Sequence, residues 1–94
     1  MEYINKVQIS GTINEIRHSE HGTYFVMLKQ IVNFNNEDHT RLFEIVISPE
    51  HPEIIEKLSE NTNVVFEGFI TIFKVRKFNI YKQMINATKM EILA

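Results

Sequence analysis

Residues 49–61 read PEHPEIIEKLSEN, the one convincing helix signal in a chain whose other segments read as strands and turns. Ile54, Ile55 and Leu58 fall at i, i+1 and i+4 and so share one face of a helix. Glu50 and Glu53 lie at the amino end, where the helix dipole favours negative charge. Pro52 fits only the first turn, because its ring removes an N–H and would clash with the carbonyl of a preceding turn. The spacing predicts a short helix over 52–59, and what flanks it decides the fold.

Downstream, residues 63–73 and 79–93 read as two β segments that meet around Lys74 to Phe78. Upstream, LFEIVI (42–47) is a strongly apolar strand, and TYFVMLKQIVNF (23–34) is rich in β-branched and aromatic residues. NNEDH (35–39) has turn composition, so these two form a hairpin with a loop of about five residues. At the amino end Val7, Ile9 and Ile13 share one parity of an alternating strand interrupted by Gly11, the mark of a bulge or bend. NEIRHSEHG (14–22) reads as a polar turn. The order is β-β-β-α-β-β. It predicts an all-β fold, the five-stranded OB-fold Greek-key barrel with one short helix between strands 3 and 4.

With 94 residues, 44% of them hydrophobic, the chain has material for one core, so residues 1–94 are expected to form a single OB-fold domain. Cysteine is absent, which removes disulfides, thiolate nucleophiles and Cys-type zinc sites. MEYINKVQISG lacks both a basic start and an apolar run, and no stretch approaches the roughly 18 apolar residues of a membrane span. The expectation is a soluble, cytoplasmic protein with no membrane partner.

Charge is segregated along the chain. Residues 35–60 carry seven acids against two bases, whereas residues 68–90 carry five bases (Lys74, Arg76, Lys77, Lys82 and Lys89) and no acid. A polyanion responds to the nearby potential, since charges beyond about 8 Å are largely screened at physiological salt. The net charge of -2 therefore does not exclude a basic ligand face.

Parity along the fourth strand separates two rows. Phe66, Gly68, Ile70 and Ile72 are expected to face inward, leaving Phe69, Thr71 and Phe73 outside. Exposed aromatics followed by cations suit single-stranded nucleic acid, because bases stack on rings and phosphates attract Lys and Arg. Phe69 and Phe73 are the candidate stacking platform, and Lys74, Arg76, Lys77 and Lys82 the candidate phosphate contacts. Phe78 and Tyr81 stand open between platform and core. Tyr24, Lys29, Phe34 and Arg41 are second-rank candidates. On the third strand Phe43, Ile45 and Ile47 make the better inward set, since swapping faces would bury the Glu44 carboxylate.

No catalytic site is visible, so no enzymatic activity is expected. Gly11, Gly22 and Gly68 are isolated, and no serine lies in a nucleophile motif. His18-x-x-His21 beside Glu20 is the best metal cluster, but His39 and His51 supply no second pair at zinc spacing. Neither metal nor cofactor is expected.

The chain resembles bacterial single-stranded DNA-binding proteins. INKVQISGTINEI (4–16) is similar to that family's opening strand of the form NKV-x-x-x-G, HGTYFVMLK (21–29) to its second strand, and IIEKLSENTNVVFEGFI (54–70) to its helix, turn and VEG strand. The resemblance implies an OB-fold that places Phe69, Thr71 and Phe73 on the ligand face and Lys74, Arg76 and Lys77 in the long hairpin after the helix. It also implies a homo-oligomer, dimer or tetramer, and partners among replication or helicase proteins. The chain departs from the family in carrying Ile47 where an aromatic is common, in lacking tryptophan, and in stopping at MEILA without an acidic-tipped tail. Tail-dependent recruitment is not expected, and short tailless relatives of phage, mobile-element or primosomal type resemble it better. DNA and RNA both remain open as the strand, and a protein-interaction OB domain is the alternative reading.

Overall fold

The computed structural model describes residues 3–93. Five strands, β1 (Val7–His18), β2 (Tyr24–Phe34), β3 (Glu37–Ile47), β4 (Asn63–Val75) and β5 (Ile80–Ile92), close into a barrel in the order β1-β2-β3-β5-β4. Helix α1 (Pro52–Ile55) lies between β3 and β4. Every pairing is antiparallel except β3 with β5, which is parallel and limited to Ile45↔Ile85 and Val46↔Asn86. This is the OB-fold that the element order predicts.

β1 serves two neighbours by bending. Its first half, Val7 to Thr12, pairs with β4, and its second half, Thr12 to His18, pairs with β2. Gly11 stands at the bend, where an added Cβ would lie 2.6 Å from the Lys29 carbonyl oxygen, so only glycine lets the strands approach this closely.

The polar stretch 14–22 is not one turn. The strand continues to His18, with a register shift between Ile13 and Glu15 that brings Ile16 back onto the core. The polar residues there are the outer face of a bulged strand, which has turn-like composition. The turn itself follows, where Ser19 Oγ accepts hydrogen bonds from the His21 and Thr23 amides (3.3 Å each) and Gly22 takes φ +88°.

The loop between β2 and β3 is also shorter than its composition suggests. Only Asn35 and Asn36 turn, both at positive φ (52° and 63°), while Glu37 to His39 pair with Phe34 to Val32. Two consecutive left-handed residues make the tight hairpin turn whose twist matches the strands.

The helix spans four residues rather than the whole of 52–59. After Ile55 the chain tightens into i→i+3 bonds, Lys57 N–H to Ile54 O (3.0 Å) and Leu58 N–H to Ile55 O (3.3 Å). Asn61, at φ 64°, then turns it into β4. The apolar face survives the shortening: Ile54 is buried, and Ile55 and Leu58 pack against the core. Glu53, in the first turn, has its carboxyl held below the ordinary carboxylate range by its own backbone amide and, less strongly, by His51 at 3.2 Å.

Ile13, Val26, Leu28, Ile45, Ile47 and Phe66 form the centre of the core. β4 follows its expected inner row as far as Ile70, but Ile72 is 66% exposed. The β4–β5 hairpin runs past the end of the barrel, so an inward-parity residue beyond Ile70 has no opposite sheet to cover it. Among the described residues no helix is long and apolar enough to cross a membrane.

Candidate nucleic-acid interface

The outer side of the β4–β5 ribbon is set by its register. Phe69 pairs with Asn86, Thr71 with Met84 and Phe73 with Lys82, so these six residues share one face. Phe69 is 39% and Phe73 43% exposed, each half-sunk against its neighbours with a ring surface left open. Between them Thr71 is held by Asn86, whose Nδ2 donates to its Oγ1 at 2.8 Å.

Parallel pairing carries this face onto β3 and beyond. Asn86 lies beside Val46, Val46 beside Phe25, and Phe25 beside Arg17, a row that crosses four strands. Val46 is buried without belonging to the core cluster, sheltered on the outside of the barrel. Glu44 faces outward, as the third-strand parity requires, and is not left alone. Its Oε1 lies 3.0 Å from Lys82 Nζ and its Oε2 3.7 Å from an Arg17 guanidinium nitrogen. Arg17, His18, Ser19, Phe25, Glu44 and Lys82 line a cleft of about 340 Å³ at this spot.

No protein-family model matches this chain, and no curated protein matches it. Among solved structures it is similar to a small single-stranded DNA-binding protein from Mycoplasma pneumoniae, with a TM-score of 0.74 and 23% identity over 98% of this chain and 94% of that one. A Plasmodium falciparum SSB in complex with single-stranded DNA gives a TM-score of 0.67 at 16% identity, covering 100% of this chain and 98% of that one. A small single-stranded DNA-binding protein from Streptomyces coelicolor gives 0.64 at 17%, covering 99% and 95%. The fold is shared with all three.

On this OB barrel the remaining sequence candidates fall in several places. Lys74 pairs with Tyr81 on the opposite side of the ribbon from Phe73. Arg76, Lys77 and Phe78 occupy the turn at its tip, where Lys77 Nζ lies 5.6 Å from the Phe78 ring centroid. Phe78 and Tyr81 are both exposed, so neither belongs to the core. Lys29 lies on the outer row of β2 opposite Leu42 and Thr12. Arg41 pairs with Gln30, and Phe34 stands exposed at the far β2–β3 tip with its ring 6.3 Å from His39. Tyr24 is on the inner row, packed against the core with its ring 5.3 Å from His18. The structure thus gathers Phe69, Thr71, Phe73 and Lys82 on one face, with the cationic tip beyond them.

Phe25, Arg17, Met84 and Asn86 belong to that face but are not among the sequence candidates. Phe25 and Met27 alternate with Tyr24, Val26 and Leu28, a parity that marks them as outward once β2 is phased. Arg17 lies in the polar stretch 14–22, whose turn-like composition conceals the bulged end of β1. His21, His39 and His51 each lie near a single glutamate, and among the described residues no cluster of three or more His, Asp or Glu is placed to hold a metal.

Proposed function

We propose that this protein is a short member of the single-stranded DNA-binding family and binds single-stranded DNA in a largely sequence-tolerant way. The observation that carries the reading is the pair Phe69 and Phe73, half-exposed on one face of β4, with Arg76 and Lys77 at the ribbon's tip and Lys74 on the ribbon's other side just before it. Stacking on those rings and attraction to those cations are the two terms that sequence-tolerant single-strand binding requires. OB-folds in general receive oligonucleotides over β2 and β3 and the loops beside them, and the continuation of this face from Phe69 and Asn86 through Val46 to Phe25 supports the reading. The single-stranded DNA-binding proteins that share its fold support the same reading.

Fluorescence anisotropy of labelled oligo-dT at low salt tests the proposal, and no detectable binding there would sink it. The salt dependence is a sharper measure. Lys74, Arg76 and Lys77 make no ion pair among the described residues, whereas Lys82 is engaged by Glu44. Three phosphate contacts predict a slope of log K against log salt of about -2. Replacing all three by alanine is expected to flatten the slope by that amount, and an unchanged slope would show that the tip does not meet phosphate.

A homo-oligomer is part of this proposal, because Ile72, Ile80 and Tyr81 of the ribbon and Ile4 ahead of β1 leave apolar surface exposed. Light scattering on the eluting protein should give a dimer or tetramer mass, and a monomer at micromolar concentration would remove this part. In the cell, protection or hand-over of single strands in replication, in the cytoplasm, is the role that fits.

A further inference from the structure

The cleft beside the aromatic row presents an ordered set of polar atoms. Across it run Lys82 Nζ, Glu44 Oε1, Glu44 Oε2 and an Arg17 guanidinium nitrogen, with separations of 3.0 Å at the lysine end and 3.7 Å at the arginine end. In hydrogen-bonding terms the order is donor, acceptor, acceptor, donor. Each carboxylate oxygen has room for more than one bond, so pairing with the two cations leaves acceptor capacity on both. Phe25 lines the same cleft and supplies a ring beside the polar row, and the volume of about 340 Å³ lies in the range of ligand sites.

A carboxylate in the middle of a surface meant for phosphates is a liability unless it contacts something other than phosphate. A surface ion pair by itself contributes little to stability, so pairing does not explain why Glu44 stands there. Unstacked bases, unlike phosphates, carry donors that a carboxylate accepts, and their free edges are read in single strands by such side chains.

The edges differ. Thymine offers acceptor, donor, acceptor along its pairing edge, and cytosine donor, acceptor, acceptor. Adenine offers one donor and one acceptor there. Guanine offers O6, N1–H and N2–H there, which is acceptor, donor, donor, the complement of the Lys82 ammonium and the two Glu44 oxygens, and its N3, an acceptor on the adjoining sugar edge next to N2, lies on the side where Arg17 stands. We infer that Glu44, flanked by Lys82 and Arg17 and beside Phe25, forms a guanine-reading subsite at one position of an otherwise sequence-tolerant strand. This rests on the single-strand binding proposed above.

The test uses the native protein and three labelled strands: oligo-dT, the same strand with one central deoxyguanosine, and the same strand with deoxyinosine in that place. Inosine keeps O6 and N1–H and lacks only the N2 amino group. The guanosine strand is expected to bind about tenfold more tightly than the inosine strand, the scale of a good bidentate base contact. In Glu44→Gln the gap is expected to close, because an amide has one acceptor oxygen and sets an N–H against the base's own donor. Equal affinities for the guanosine and inosine strands in a protein that binds oligo-dT would overturn the guanine reading and leave single-strand binding standing. A gap that persists in Glu44→Gln would overturn it as well. Failure to bind any of the three strands would overturn both.

Discussion

Replacing Phe69 and Phe73 together by alanine is expected to weaken oligo-dT binding by roughly a thousandfold. Stacking of a base on an aromatic side chain is worth about 1–3 kcal/mol, so two such contacts amount to about 2–6 kcal/mol. Four residues apart along a strand, the rings stand about 13 Å from one another, far enough for their losses to add. Both side chains are partly exposed, so their removal leaves the core intact, and thermal unfolding should confirm a folded variant. The leucine pair separates area from ring chemistry, since leucine keeps apolar contact and cannot stack. Anisotropy titrations that place the folded alanine variant within threefold of the parent would refute the platform.

Gly68→Ala is expected to cost stability rather than binding, and more than a surface change would. Gly68 pairs with Val7 of β1 on one side and Ala87 of β5 on the other, at the register shift in the β4–β5 pairing. An added Cβ would stand inside the van der Waals shell of the Asn86 carbonyl oxygen and against the Ala87 Cα, both backbone atoms that cannot rotate away. Overpacking against fixed backbone costs about 3 kcal/mol or more. In a domain of this size that lowers Tm by about 15 °C. Circular dichroism melts of the parent and variant measure it directly, and a shift of less than about 4 °C would mean that β5 relaxes at its bulge with little strain.

Much of the fold is legible because its signals are local. The single helix signal at Pro52 to Leu58 and the strand order around it lead to the barrel, even though the helix proper is shorter. Parity on β4 separates Phe66 from Phe69 and Phe73 because a two-residue period needs no knowledge of partners. The same method loses Ile72, since parity tells which side a residue takes and not where the opposite sheet ends. It loses Arg17 and Ile16 through a bulge that shifts phase within polar residues, and it overestimates the hairpin loop because two asparagines can do the work of five residues. Val46, beside Phe25 in the antiparallel β2–β3 hairpin, meets Asn86 through a parallel pairing between segments far apart in the chain, which leaves no period to detect.

That parallel pairing is also the narrowest join in the barrel. β1 meets β4 over six residue pairs, from Val7↔Gly68 to Thr12↔Asn63, whereas β3 meets β5 over two. The molecule is therefore a three-stranded sheet and a two-stranded ribbon hinged broadly along one edge and clasped briefly along the other. Local opening follows the edge with fewest bonds, so amide exchange should reach Ile45, Val46, Ile85 and Asn86 before the β1–β4 edge. The aromatic and polar row described above lies across that clasp. A strand bound there would fasten the barrel at the place where it is held least.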